Sequence, residues 1–300
     1  MGMSVWLRVI RIKFLLASVI AVSLGLSMSY WSTGRLDVIH SVITMAGVIS
    51  LHASVDLLND YWDYKRGIDT MTKRTKFSGG TGVLPEGLLK PSHVYWAGVA
   101  FLILGSLAGL YFIVIYGWII AVILGFAILS IYFYSTKIVD SGLGEIFVGI
   151  KGTMIVLGTY FIQTQQVTQS SVMGGIIVGT LSSLVLFITS FPDFDADKQK
   201  GRKTLVIMIG KKRASDVFWA FPLVSYGIIV IGVALQLFPT FCLMALATIP
   251  LMIKSGFGLR KNFDDADRFV FVMKSVLLFS RITGSLFVLG FLVGMLANNN

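Results

Sequence analysis

Charge is scarce in this sequence: Asp, Glu, Lys and Arg make up 13% of its 300 residues, against roughly 25% in an ordinary soluble domain. With 55% of residues hydrophobic and a mean hydropathy of +0.82, no polar stretch is long enough to fold as a separate soluble domain. Cysteine is limited to Cys242, which excludes a disulfide framework and a Cys-built metal centre. His40, His52 and His93 are scattered, which argues against a histidine metal site. No small-residue cleavage site follows the first apolar run, as a cleavable signal peptide would require.

What fills the sequence instead is apolar runs of membrane-crossing length. A helix of 18 to 20 apolar residues spans a bilayer core, and nine such stretches are predicted, approximately 9–31, 38–63, 92–115, 117–135, 143–163, 171–192, 214–237, 238–257 and 269–296. Many carry an interfacial Trp or Tyr near one end. The fold class expected is therefore all-α, a polytopic membrane protein with nine transmembrane helices. If the N-terminus is cytoplasmic, most of the Lys and Arg residues fall in cytoplasmic connections and only Arg35 faces outside. That bias obeys the positive-inside rule, so the net charge of +10 needs no nucleic acid partner.

Two connections on the basic side are long, 64–91 and 198–213, and each follows an acidic motif. "NDYWDYKRGID" closes the second span, and "FPDFDADKQKGRKTL" closes the sixth. Equivalent placement on the second helix of successive four-helix units suggests two such units plus a ninth span. The Gly-rich and Pro-containing stretch 77–91 reads as tight turns, forming either a lid or a connector.

On a helix, Asp56, Asn59, Asp60 and Asp63 share a stripe, and Asp193 and Asp197 stand one turn apart. Lipid penalises each ionised group, so these side chains face protein, water or ions. Carboxylates converging from two helices repel unless cations intervene, and hard oxygen ligands suit Mg²⁺, which favours few carboxylates together with phosphate oxygens. A metal-held diphosphate beside a Phe-rich apolar bundle implies a substrate with an anionic head and a hydrocarbon tail. A prenyl diphosphate fits that description.

With these motifs the chain resembles the UbiA superfamily of intramembrane aromatic prenyltransferases. The family's NDxxDxxxD motif is matched by Asn59, Asp60 and Asp63, and its DxxxD motif by Asp193 and Asp197. The last Asp of the longer first motif falls on Gly67, with Asp69 two residues later. "NDYWDYKRGIDT", "GLGEIFVG" (142–149) and "GTYFIQT" (158–164) look most like the menaquinone branch, which prenylates 1,4-dihydroxy-2-naphthoate. The resemblance implies one transmembrane prenyltransferase domain over 1–300, capped by the two long loops, in the cytoplasmic membrane with the site opening to the cytoplasm. It implies Mg²⁺ as cofactor and prenyl diphosphate, an aromatic acceptor and membrane lipid as partners. Asp60, Asp63, Asp193 and Asp197 would be catalytic, with Asn59, Asp63, Asp193 and Asp197 acting through the metals. Arg11, Lys13, Tyr134 and Lys137 would bind diphosphate, joined by Arg66, Lys73, Arg74, Lys200 and Arg202 from the loops.

Other readings stay open at this point. Acceptors such as 4-hydroxybenzoate or geranylgeranylglyceryl phosphate fit the same motifs. An ion-coupled transporter would also bury acids, although that class places them near the bilayer midplane beside interrupted helices. Asp56, one turn deeper than Asn59 and Asp60, suits either a functional role or pairing with a base. Lys151, Lys274 and Arg281 lie within spans, where interhelical pairing, snorkelling or function would each explain them.

Overall fold

The structure, a computed structural model, describes residues 2–69, 71, 74–75 and 77–298, and among them it is all helix and turn. A short helix α1 (Met3–Val9) leads into α2 (Ile12–Thr33) and α3 (Val38–Lys65). The α2–α3 turn is set by Gly34 in the left-handed region and by the Asp37 side chain, which accepts from His40 N at the start of α3. After the first long loop come α4 (Pro91–Tyr116), α5 (Trp118–Phe133), α6 (Gly144–Thr164) and α7 (Gln169–Thr189). The second loop folds into short pieces, α8 (Phe194–Gln199), α9 (Leu205–Ile209) and α10 (Lys211–Val217). The chain ends with α11 (Ala220–Ala234), α12 (Ile249–Asn262) and α13 (Ala266–Asn298).

Eight helical stretches among the described residues are long and apolar enough to cross a bilayer, and α5 is a shorter apolar helix. The expected fourth span is thus cut short at Phe133, where the chain passes through a π-helical turn (Tyr134–Ile138) and a 3₁₀ turn (Val139–Ser141). The expected seventh span is α10 continued by α11, and the expected eighth opens as a 3₁₀ segment (Thr240–Thr248) before α12. This is a multi-pass membrane protein. Its most exposed large side chains, such as Val114, Trp118 and Trp96, sit on surfaces that lipid covers.

Apolar burial cannot by itself bring helices together in lipid, so small residues do much of it here. Gly149 and Gly152 of α6 face Gly175 and Gly179 of α7, and a Cβ on Gly179 would stand 2.3 Å from the Gly149 carbonyl oxygen. Gly47 and Gly105 bring α3 and α4 together in the same way. Helix α2 packs against α3, α6, α7 and α13, which makes it the axis joining the two halves. A cavity of about 250 Å³ opens among these helices, lined at one end by both acidic motifs and deeper in by apolar side chains such as Ile20, Ile155 and Leu181.

Gly179→Leu is expected to wedge α6 from α7 and cost on the order of 3 kcal/mol, as overpacking of a close contact does. A detergent-solubilised variant melting with the unaltered protein would show that the glycine contact is not what holds this pair.

Candidate active site

Helix α3 carries the first motif along its last turns. Asn59 and Asp63 line the cavity; Asn59 Nδ2 donates to Asp63 Oδ2 at 3.1 Å, and Asn59 Oδ1 accepts from Ser135 Oγ at 2.7 Å. Asp60 does not reach the cavity. It is fully buried and accepts from Thr81 N at 3.0 Å and from Thr81 Oγ at 2.9 Å, so its charge anchors the first long loop. A helical stripe is wider than the face that meets a cavity, and Asp60 lies on the side turned to the loop.

The second motif approaches from the end of α7 and α8. Asp193 and Asp197 line the cavity wall opposite α3. Arg202 joins the motifs: one terminal nitrogen contacts Asp63 Oδ1 and the other contacts Asp197 Oδ1 at 3.0 Å. Burial lowers the affinity of its guanidinium for the proton, but Asp63 and Asp197 outweigh that and hold it above its usual range. Arg202 Nε is buried without a hydrogen-bond partner among the described residues, leaving one donor unused. Carboxylates from the two motifs therefore share a single cation.

The first loop closes over this end through its glycines. Gly79 N donates to Asp193 Oδ2 at 3.4 Å. Gly80, at φ +68°, lies so close to Asp69 that a Cβ would stand 2.4 Å from its carboxyl carbon. Asp69 lines the cavity with Oδ2 unpartnered, as is Asp193 Oδ1. Burial, with Asp63 and Asp60 nearby, pushes the Asp69 carboxyl up to about 8, and burial with Asp197 pushes Asp193 up to about 7. Burial likewise raises Asp197. No group of three or more His, Cys, Asp or Glu among the described residues forms a ready-made metal cage.

The expected basic residues divide. Arg11, which starts α2 in the left-handed region at φ 52°, Tyr134 in the π-helical turn, and Arg202 all line the cavity. Lys13 does not: it is exposed, and its carbonyl accepts from Arg281. Arg66 is committed to Asp140 at 3.0 Å and to the carbonyls of Ser135 and Lys200 at 2.6 and 3.3 Å, which ties three chain segments together. Arg74 pairs with Glu86 at the surface, Lys137 is exposed and lies over the Phe133 ring at 5.0 Å, and Lys200 does not line the cavity. Lys73 lies outside the described residues. A basic residue close to a motif in sequence has no fixed direction in space, which is why Arg66 and Arg202 part company.

Cavity residues that motif reasoning had not placed are Asp69, the glycine edge 79–80, and Lys151 and Arg281 from the spans. The signals were present as an extra acid near the first motif, paired glycines and cations in apolar runs.

Acids from α3 and from the α7–α8 end meet at the polar end of an apolar cavity inside a multi-pass membrane protein. The chain belongs to the UbiA prenyltransferase family, whose sequence pattern matches residues 18–280, and it is accordingly a prenyltransferase. It is 28% identical over 242 residues to a 1,4-dihydroxy-2-naphthoate octaprenyltransferase of Bacillus subtilis, covering 78% of this chain and 76% of that one. It is 25% identical over 253 residues to a 2-carboxy-1,4-naphthoquinone phytyltransferase of Synechocystis, covering 83% and 80%. In fold it is similar to a UbiA homologue from Aeropyrum pernix (TM-score 0.70, 16% identity, 94% of this chain and 98% of that one). A homologue from Archaeoglobus fulgidus bound to DMAPP and Mg²⁺ is also similar (TM-score 0.66, 14% identity, 97% and 98%).

Arg202→Met is expected to lower metal-free stability by on the order of 3 kcal/mol, because buried carboxylates lose their shared cation. Added Mg²⁺ should restore part of the loss, and melting curves with and without Mg²⁺ read both effects. A second outcome concerns the loop. Arg8, at 2.7 Å, and Arg74 hold the Glu86 carboxyl down to about 2 from an ordinary 4.5. A depressed carboxyl stabilises above its unfolded pKa, so this tie is expected to be complete above pH 4.5 and to loosen as pH falls toward 2. Acid-active protease should therefore cut 77–88 faster as pH drops, and Glu86→Gln should flatten that dependence.

Proposed function

We propose that this protein transfers a prenyl group from a prenyl diphosphate to 1,4-dihydroxy-2-naphthoate with Mg²⁺, as a step in menaquinone biosynthesis. The observation that carries the reading is the meeting of Asp63 and Asp197, one from each motif, on a single cation at the polar end of an apolar cavity. The names of the naphthoate-prenylating and phytylating relatives support the acceptor. The structures of homologues with Mg²⁺ and DMAPP or GPP support the metal and donor.

The residues present fit that metal. Asp193 Oδ1 and Asp69 Oδ2 are buried oxygens without hydrogen-bond partners among the described residues, and Asn59 and Asp63 line the same cavity one helical turn apart. In this reading Asn59, Asp63, Asp193 and Asp197 hold Mg²⁺, with Asp60 supporting them through the loop. Bound Mg²⁺ supplies charge neutralisation for the departing diphosphate. Arg11, Arg202 and Tyr134 face the same space and bind phosphate oxygens, Arg202 through the donor now unused. Lys13, Arg66, Arg74, Lys137 and Lys200 do not line the cavity. As the allylic C1–O bond breaks, its electron pair leaves with diphosphate, and the ring carbon bearing the carboxylate forms the new bond to C1. Loss of CO₂ from that carbon restores the aromatic ring. The apolar wall of Ile20, Ile155, Val178 and Leu181 takes the hydrocarbon chain, each buried CH₂ contributing roughly 0.8 kcal/mol. The excess of Lys and Arg in the loops at this end supports a cytoplasmic position for it in the cell membrane.

The test is an assay of purified protein with Mg²⁺, a panel of labelled prenyl diphosphates, and dihydroxynaphthoate, 4-hydroxybenzoate or a glyceryl phosphate as acceptor. Transfer to dihydroxynaphthoate should exceed the others and vanish on chelation. Asp63→Ala or Asp197→Ala should reduce turnover by a factor on the order of 10². Arg260→Ala, in an exposed pair with Asp216 at 3.8 Å, should turn over normally. A preference for a different acceptor would overturn the menaquinone assignment.

A further inference from the structure

Below the acidic end, the cavity holds a second polar group of side chains that the diphosphate chemistry does not use. It comprises Ser18 on α2, His52 and Asp56 on α3, and Lys151 on α6, all facing the cavity. Ser18 Oγ lies 2.7 Å from His52 Nδ1, which fixes the ring and turns Nε2 toward Asp56 Oδ2 at 3.8 Å. That separation is too long for a hydrogen bond, and Asp56 Oδ2 is buried without a hydrogen-bond partner among the described residues. Lys151 makes no hydrogen bond or close ion pair with another described residue; Asp56 is near enough to act on its charge without touching it. Its other neighbour is an apolar cavity of about 100 Å³ between α3, α4, α5 and α6, which offers the ammonium nothing. An unpaired acceptor and an unpaired cation within a membrane span are costly to maintain, and each is a request for a ligand group.

The two requests differ. Asp56 needs a donor, and Lys151 needs an anion. A hydroxylated aromatic carboxylate brings both on one rigid ring. Along α3, Asp56 lies roughly 10 Å and His52 roughly 16 Å below Asp63 at 1.5 Å per residue. A ring held at that depth would lie on the apolar side of a diphosphate bound at the motifs, the side toward which its allylic carbon extends.

We propose that Lys151, Asp56 and His52 form the acceptor site, Lys151 pairing with the ring carboxylate and Asp56, backed by His52 and Ser18, accepting from a ring hydroxyl. This rests on the prenyl-transfer reading and adds to it the residues that select the acceptor. These are positioning residues: they set which ring carbon meets the donor. A ligand with the same ring but no carboxylate loses the lysine partner alone, which provides the test.

The experiment measures binding of 1,4-dihydroxy-2-naphthoate and of 1,4-naphthalenediol to the full chain in nanodiscs, with the Mg²⁺-dependent thermal shift given by a prenyl diphosphate analogue recorded in parallel. The unaltered protein should prefer the carboxylate by tenfold or more. Lys151→Met should abolish that preference by weakening the naphthoate alone, Lys151→Arg should keep it, and Asp56→Asn should weaken both ligands. All three variants should retain the Mg²⁺-dependent shift, which also reports that they fold. Unchanged naphthoate affinity in Lys151→Met with the shift intact overturns the acceptor site and leaves the prenyl-transfer reading standing. Absence of the shift in the unaltered protein overturns both.

Discussion

Everything at the active end of this molecule depends on how negative charge is tolerated inside a membrane. Asp63, Asp197 and Asp193 are brought together by helices that could have carried them to opposite faces, and such a gathering is uphill without cations. The structure answers with Arg202, whose guanidinium contacts Asp63 and Asp197. An arginine suits this task because its planar fork serves two carboxylates at once and stays charged when buried. The same arrangement explains how an acid-rich site stays assembled without bound metal: an internal cation bridges one carboxylate from each motif.

Around that contact the remaining acids are divided by geometry. Asp60 is satisfied by Thr81 and holds the loop, whereas Asp69 and Asp193 keep an unpartnered oxygen each at the cavity. Arg66 binds the ends of three segments through Asp140, Ser135 and Lys200, so the frame behind the site is fixed while the glycine edge at 79–80 covers its front. The frame and the cover rest on different ion pairs, and each can yield without the other.

Much of this was legible in the residues. Hydropathy marks the crossings because lipid enforces a single rule along each of them, and the two acidic motifs stand out because they break it. The departures have local causes that hydropathy does not register. The 3₁₀ segment at Thr240–Thr248 is as apolar as regular helix, so no change of composition announces it, and the π-helical turn Tyr134–Ile138 reads in the sequence only as the polar end of a span. Asp60 and Asp63 belong to one motif, yet Asp60 is taken by Thr81 and Asp63 by Arg202, each from elsewhere in the sequence. Likewise Arg66 and Arg202 both follow a motif closely, and only the packing of the loops distinguishes a strut from a ligand. The family pattern found over 18–280 confirms the class reached from the motifs, and it leaves the individual basic residues to the geometry.

The close approach of Gly80 to Asp69 has a bearing on inherited variation. Gly80 has no functional group, yet any side chain there would collide with a carboxylate of the cavity at 2.4 Å and strain a backbone at φ +68°. In a saturation screen scored by growth, this position would show the intolerance of a metal ligand. A silent residue would thus be grouped with the chemical ones, because what the site requires of it is an empty volume.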